Sequence, residues 1–207
     1  MAKLRVHNLA MSLDGYVAGP DQSLEAPMGV GARGLHEWVF ATRFGRAMFG
    51  GEGGATGVDN DMLEAGVEGI GATVMGRNMF GPVRGPWPDA SWQGWWGDEP
   101  PFHTDVFVLT HHARDSFSLS DTTFHFVTEG VEVALERAFA AAGGKDVRLG
   151  GGAQVVRECL AKDLVDFLHI AVGPVLLGGG ERVLDGPIGL TPLPVVAGSV
   201  AHLRYSR

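Results

Sequence analysis

Apolar positions in this chain switch between a two-residue and a roughly 3.6-residue period, with glycine clusters at the switches. Lys3 to Leu13 mixes Leu, Val and Met with polar residues and breaks at Asp14-Gly15, the pattern of a strand entering a turn. After a Pro/Gly-rich loop from Gly19 to Gly34, the set Leu35, Trp38, Val39, Phe44 and Met48 predicts a helix that Gly50-Gly51 stops. Asp59 to Gly69 offers aspartate caps and a Met62, Leu63, Val67 stripe, a shorter helix feeding the strand Ala72 to Met75.

The second half repeats the alternation. Val106 to Thr110 is a continuous apolar run, as expected of a strand covered on both faces, followed by a polar turn through His111, His112 and Arg114. Phe124 to Thr128 is another strand. Val131, Leu135, Ala138 and Phe139 mark a helix ending at Gly143-Gly144, and Val147-Arg148-Leu149 runs into Gly150-Gly151-Gly152. A helix follows over Ala153 to Lys162, then strands at Val165–Val172, Val175–Leu177 and Val196–Tyr205. Gly85 to His103 holds four of the five tryptophans among prolines and reads as a long ordered loop. Strands alternating with helices predict one three-layer α/β domain over residues 1–207, with a mostly parallel sheet.

Composition narrows the classes. Hydrophobic residues at 45% and charged ones at 19% exclude a disordered chain, and no apolar run approaches the ~20 residues of a membrane helix. The net charge of −8 repels phosphate backbones and anionic lipid, so neither nucleic acid nor membrane is an expected partner. The N-terminus shows no apolar signal region, and the lone Cys159 suits a reducing compartment, which together make the expectation cytoplasmic. Thirty-two glycines, clustered between apolar segments, suggest tight backbone approach.

Gly29 to Gly34 matches GxGxxG by letter, but no buried strand leads into it, and His36-Glu37 lacks the second histidine of a zincin because Phe40 stands there. No metal site is expected. The sequence Val147 to Val155 is stronger: a strand, three glycines and a helix start, where bare Cα atoms and free N–H groups suit a diphosphate. A turn that merely packs strand on helix explains it equally well. Arg77 just past a strand end, and Thr110, His111 and Arg114 past another, add donors suited to a 2′-phosphate. Together they favour NADPH over NADH.

At these residues the chain resembles the dihydrofolate reductase superfamily, and more closely the reductase domain of bacterial riboflavin-biosynthesis proteins. Ala10 to Gly19 looks like the family's first strand and nicotinamide-side loop, Met75-Gly76-Arg77 like its second cofactor strand, and Leu149 to Gly152 like its diphosphate turn. Leu164 to Ile170 followed by Pro174 to Arg182 is similar to the riboflavin-type branch. The resemblance implies a dihydrofolate reductase-like α/β/α fold, its mostly parallel sheet carrying an antiparallel C-terminal part. It implies nicotinamide contacts from Ala10, Val17, Ala18 and Gly19, phosphate contacts from Arg77 beside Gly76 and from Thr110, and diphosphate contacts from Gly151, Gly152, Ala153, Gln154 and Val155. It also implies a cis Gly150-Gly151 peptide and a homodimer. The residues around Glu37 and the loop Pro86 to Phe102 depart from the family pattern.

The leading expectation is an NADPH-dependent reductase of a small heterocyclic or carbonyl substrate, similar to 5-amino-6-(5-phosphoribosylamino)uracil reductase and dihydrofolate reductase. The alternatives are a flavin- or nucleotide-binding dimer without hydride transfer, and a structural or stress-related dimer that kept only the fold. Asp14 and Glu37 are the candidate groups for polarising substrate or delivering a proton, against plainer roles as a turn residue and a helix-capping or solvated charge. Trp95 and Trp96 are expected to line the substrate pocket and touch a dimer interface, against packing on their own domain.

Overall fold

The first strand sets the two faces of the sheet. β1 (Leu4–Ser12) buries Leu4 and Val6 on one face, and simple alternation would send Ala10 there as well. Asn8 instead takes a left-handed backbone, φ 57°, and the register with β7 (Phe167–Gly173) shifts between Val6 and Leu9. This bulge reverses the parity, so Leu9 and Met11 join the core of Leu4 and Val6 while Ala10 turns to the other face, against Ala32 and Leu35. A single inserted irregularity thereby decides which face Ala10 occupies.

The computed structural model describes residues 1–81, 84–89 and 91–207. Among the described residues ten strands form one sheet, in the order β4 (Phe117–Leu119), β5 (Thr122–Val127), β3 (Asp105–Leu109), β2 (Ile70–Gly76), β6 (Asp146–Gly151), β1, β7, β10 (Ala201–Ser206), β8 (Thr191–Pro192), with β9 (Val196–Ala197) also on β10. The stretch from β5 to β7 is parallel. The margins are antiparallel, β4 on β5 and β10 on β7, β8 and β9. The expected mostly parallel sheet with an antiparallel C-terminal part is therefore present. Three residues of β4 were too few to leave a periodic signal.

Helices cover both faces. α5 (Val131–Ala141) and α6 (Ala153–Ala161) bury Val131, Ala134, Leu135, Ala138, Val155, Val156 and Cys159 against Val74, Phe107, Leu149 and Ile170. Each fully buried Val or Leu contributes roughly 1.5–3 kcal/mol. Cys159 belongs to this core, and burial pushes its thiol up to about 12, which leaves it unreactive. Among the described residues, no helix is long and apolar enough to cross a membrane.

On the opposite face lie α1 (Glu37–Ala41), α2 (Arg43–Ala47), α3 (Val58–Val67) and α4 (Arg77–Phe80), with a 3-10 turn at Ala32–His36. The single helix expected from Leu35 to Met48 is broken at Thr42, which is extended at φ −82°, ψ 160°. Its hydroxyl accepts from the Gly45 N–H at 3.0 Å and donates to the Val39 carbonyl at 2.7 Å, so it caps α2 while ending α1. Beneath α3, His169 and His202 are wholly buried, with Nε2 of His169 2.9 Å from Nδ1 of His202. The Asn8 N–H donates to His169 Nδ1, so His169 carries its proton on Nε2; His202 then donates from Nε2 to Asp59 at 2.8 Å.

Candidate functional site

The parallel strands β1, β2, β3 and β6 all end on one edge of the sheet, and most sequence-predicted residues gather there. β6 ends at Gly151, which pairs with Met75 of β2, and α6 begins two residues later. The glycines of this turn serve different ends. A Cβ at Gly150 would stand 3.3 Å from Met79 Cε, so that position is bare for packing. Gly151 has φ 127°, a conformation that side chains rarely adopt. A Cβ at Gly152 would meet nothing within 4 Å, so that position borders open space.

No side chain caps the first turn of α6, leaving the N–H groups of Ala153, Gln154 and Val155 facing that space with the positive end of the helix dipole. Gly76 closes the cradle from β2, since a Cβ there would lie 3.4 Å from the Gly152 nitrogen. The cis peptide joins Gly151 to Gly152, not Gly150 to Gly151 as expected. Strand pairing with Met75 carries β6 through Gly151, so the turn starts one residue later.

Beyond the ends of β2 and β3 two guanidiniums share one indole. Arg77 lies 3.2 Å from the Trp87 ring centroid and Arg114 lies 5.0 Å from it. Trp87 Nε1 donates to the His112 carbonyl at 2.8 Å, which ties the tryptophan loop to the turn after β3. Thr110 is buried and its hydroxyl accepts from the His112 N–H at 3.1 Å, fixing that turn, while His111 is exposed. Burial, then the nearby Arg114, holds Arg77 at about 10, below the usual arginine range. Its Nε is buried with no hydrogen-bond partner, and no carboxylate among the described residues pairs with it. A half-buried guanidinium that donates only to the Gly81 carbonyl at 3.3 Å suits an oxyanion.

The loop after β1 is held by the segment after β7. Leu13 N–H donates to the Val175 carbonyl at 2.8 Å, Val17 N–H to Glu181 at 2.9 Å, and Glu181 N–H back to Ala18 at 2.9 Å. A Cβ on Gly180 would stand 2.0 Å from the Ala18 carbonyl oxygen, and one on Gly19 would stand 2.2 Å from that of Val30, so both close approaches require glycine. Arg182 lies 4.1 Å over the Tyr16 ring. These contacts replace the strand expected at Val175–Leu177, because its N–H and carbonyl groups are used on the loop. Ala10 is buried behind this clamp, and a cavity of about 430 Å³ opens beside Gly19, lined also by Gln22, Arg84 and Glu181.

The two proton-delivery candidates sit in different surroundings. The Asp14 carboxylate accepts from Leu177 N–H at 3.1 Å and Gly178 N–H at 2.6 Å. Hydrogen bonding from the Ser12 hydroxyl and then from Gly178 holds it down to about 2, the opposite of the raised value a carboxylic acid donor needs. Its observed role is to fasten the clamp, which is nearer the turn-residue reading. Glu37 sits in the first turn of α1 and is exposed, while the indole of Trp38 beside it is buried. That position favours the helix dipole and solvent.

Trp96 packs within its own domain. Its ring stacks on Phe124 at 6.0 Å and meets Phe102 edge-on at 4.8 Å, inside a cluster with Phe80, Met75, Val106 and Val108. Trp92 donates to the Phe80 carbonyl at 2.9 Å, and Trp95 packs edge-on against Trp92 at 4.6 Å. Trp92 and Trp96 thereby pack on the β2–β3–β5 face of their own domain. The partner that sequence reasoning missed is Trp87, which joins Arg77 to Arg114. Its signal was the tryptophan-rich composition, but the ring's two cationic neighbours come from separate strand ends.

The architecture and its strand-end cradle define a dihydrofolate reductase-like α/β fold. The chain belongs to the RibD C-terminal domain family, whose profile matches residues 5–193. A putative riboflavin biosynthesis protein from Shewanella sp. PV-4 is similar over 100% of this chain and 99% of its own, at 23% identity and TM-score 0.63. Dihydrofolate reductase from Enterococcus faecalis, solved with NADP(H), is similar over 99% and 96%, at 16% identity and TM-score 0.53. A diaminohydroxyphosphoribosylaminopyrimidine deaminase/5-amino-6-(5-phosphoribosylamino)uracil reductase from Thermotoga maritima matches 99% of this chain with 56% of its own, at 12% identity and TM-score 0.56. No curated protein sequence matches the chain.

Proposed function

We propose that this protein is an NADPH-dependent reductase of a small heterocyclic or carbonyl compound, a reductase of the riboflavin-pathway or dihydrofolate reductase type, working in the cytoplasm as a homodimer. The observation that carries it is the uncapped α6 N-terminus opening over Gly152, next to two guanidiniums on Trp87. Membership of the RibD C-terminal domain family supports the reductase class. When bound, NADPH supplies a hydride to an electrophilic carbon of the substrate.

The residues divide the binding work. The first-turn N–H groups of α6 hold the diphosphate, and Gly150, Gly151 and Gly152 let it approach. Arg77, with Arg114 and Thr110 behind it, takes the 2′-phosphate. Ala10 and the clamped backbone of Val17, Ala18 and Gly19 wall the nicotinamide end and exclude water from it. Titration with NADPH and NADH, read by intrinsic tryptophan fluorescence, tests the cofactor: saturable binding with preference for NADPH is expected, and binding of neither refutes it.

Binding without hydride transfer is the second reading, and the ionised, hydrogen-bonded Asp14 favours it. NADPH binding with no oxidation across a panel of heterocyclic and carbonyl acceptors would select that reading.

A further inference from the structure

Trp87 comes from the loop that departs from the family pattern, yet it touches three parts of the strand-end site. The Arg77 guanidinium lies flat enough on the indole to bring its Cζ within 3.2 Å of the ring centroid. On its other side of the loop the indole Nε1–H donates to the His112 carbonyl at 2.8 Å. The ring also packs perpendicular to Phe80, on the same short helix as Arg77, at 5.9 Å and to Phe126 of β5 at 5.3 Å.

Strand register brings these groups together. Gly76 of β2 pairs with Leu109 of β3, so Arg77 and Thr110, the next residue on each chain segment, leave the sheet side by side. The Thr110 hydroxyl accepts from the His112 N–H at 3.1 Å and shapes the turn that offers the His112 carbonyl to Trp87. The indole is thus oriented by one hydrogen bond and two rings before it meets the cation.

The contact leaves the guanidinium usable. Stacking occupies the flat face of an arginine, whereas its hydrogen bonds leave from the edge, in the plane of the group. Arg77 gives one edge donor to the Gly81 carbonyl at 3.3 Å. A carboxylate partner would hold the side chain as well, but it would neutralise the charge and occupy the donors. Arg114 lies 5.0 Å from the same indole, 4.8 Å from Phe117 and 5.0 Å from Phe126. The negative ring faces offset the repulsion between the two cations.

We propose that Trp87 is the positioning residue for cofactor selectivity, holding the Arg77 guanidinium by its face so that its edge serves a phosphate monoester. This rests on the reading above in which Arg77 takes the 2′-phosphate of NADPH. Trp87 has one donor, already given to His112, so it acts through Arg77 and not on the phosphate. An arginine immobilised beforehand loses less side-chain freedom when the phosphate binds. NADH lacks that phosphate, so removing the indole acts on NADPH alone.

Calorimetric titration of the full chain with NADPH and with NADH, at one ionic strength, tests the assignment. The parent is expected to prefer NADPH. Trp87→Leu should weaken NADPH by about three- to tenfold, as for loss of a half-buried cation–aromatic contact, and NADH by less than about twofold. Trp87→Phe keeps a ring for Arg77 and lacks the N–H, so its NADPH affinity should fall between those of the parent and Trp87→Leu. In an Arg77→Ala background Trp87→Leu should add less than about twofold, because the ring acts through that guanidinium. Equal losses for both nucleotides in Trp87→Leu, or an NADPH:NADH ratio unchanged from the parent, overturn the inference; Arg77→Ala alone then decides whether the cofactor reading stands. A parent without preference for NADPH overturns both. If Trp87→Leu fails to fold, Trp87→Phe decides, and a Phe variant with the parent's ratio overturns the inference.

Discussion

Gly151 and Gly152 are adjacent, yet alanine should affect them in opposite ways. At Gly152 the backbone, φ −72° and ψ −168°, is open to any residue, and a methyl group would touch nothing within 4 Å. Gly152→Ala should therefore change folding stability by less than about 1 kcal/mol, since alanine also restricts the unfolded chain. The same methyl would stand between the first-turn N–H groups of α6 and a diphosphate. Losing one hydrogen bond to a charged group costs about 1.5–3 kcal/mol, which corresponds to roughly 10- to 150-fold weaker NADPH binding.

Gly151 has φ 127°, where a side chain costs on the order of 1–3 kcal/mol in backbone strain. For a domain of this size that is a fall in Tm of about 2–10 °C. Calorimetric melting and NADPH titration of both variants separate the effects. A Gly152→Ala protein that melts normally and binds NADPH like the parent would refute the cradle and leave only strand–helix packing.

Three other outcomes follow from the structure. Arg77→Ala should weaken NADPH by about tenfold or more, as expected for a charge-assisted phosphate contact, while NADH binding changes little; equal losses in parallel titrations would remove Arg77 from the 2′-phosphate. Trp96→Ala should destabilise the protein by on the order of 3 kcal/mol in urea unfolding, because the ring fills the Phe80–Phe102–Phe124 cluster, and a loss below about 1 kcal/mol would return the ring to the pocket. Burial lowers His169 to about 3 and His7 further, so between about pH 6.5 and 3 the unfolded chain binds more protons than the folded one. Stability is full above about pH 6.5 and should fall on acidification by up to about 1.4 kcal/mol per pH unit for each histidine, and a urea midpoint unchanged from pH 7 to 5 would contradict their burial as neutral rings.

Elements and turns were legible where the information is local. Val106 to Leu109, the Leu149-Gly150-Gly151-Gly152 turn and the arginine after Met75-Gly76 declare themselves within a few residues, because strand burial, bare Cα atoms and strand-end position are properties of short segments. The family resemblance used the same segments. Helix continuity from Leu35 to Met48 misled because Thr42 supports either a helix interior or a cap, and the contacts that decide lie in its hydroxyl and in Ala55, which accepts the Arg43 N–H.

What only the tertiary structure decided are the pairings across long separations. Asp14 looked available to a substrate until Leu177 and Gly178, more than 160 residues on, were seen to take its carboxylate. Sequence leaves the tryptophans between a pocket wall and their own domain, and it is the tertiary structure that sets Trp96 on Phe124. Trp87 shares no motif with Arg77 or Arg114, and the register that sets Gly76 beside Leu109 brings both guanidiniums to its ring. Periodicity reports how a segment divides between inside and outside. Which charges meet inside is fixed by register and topology, since a one-residue shift in a strand exchanges its two faces.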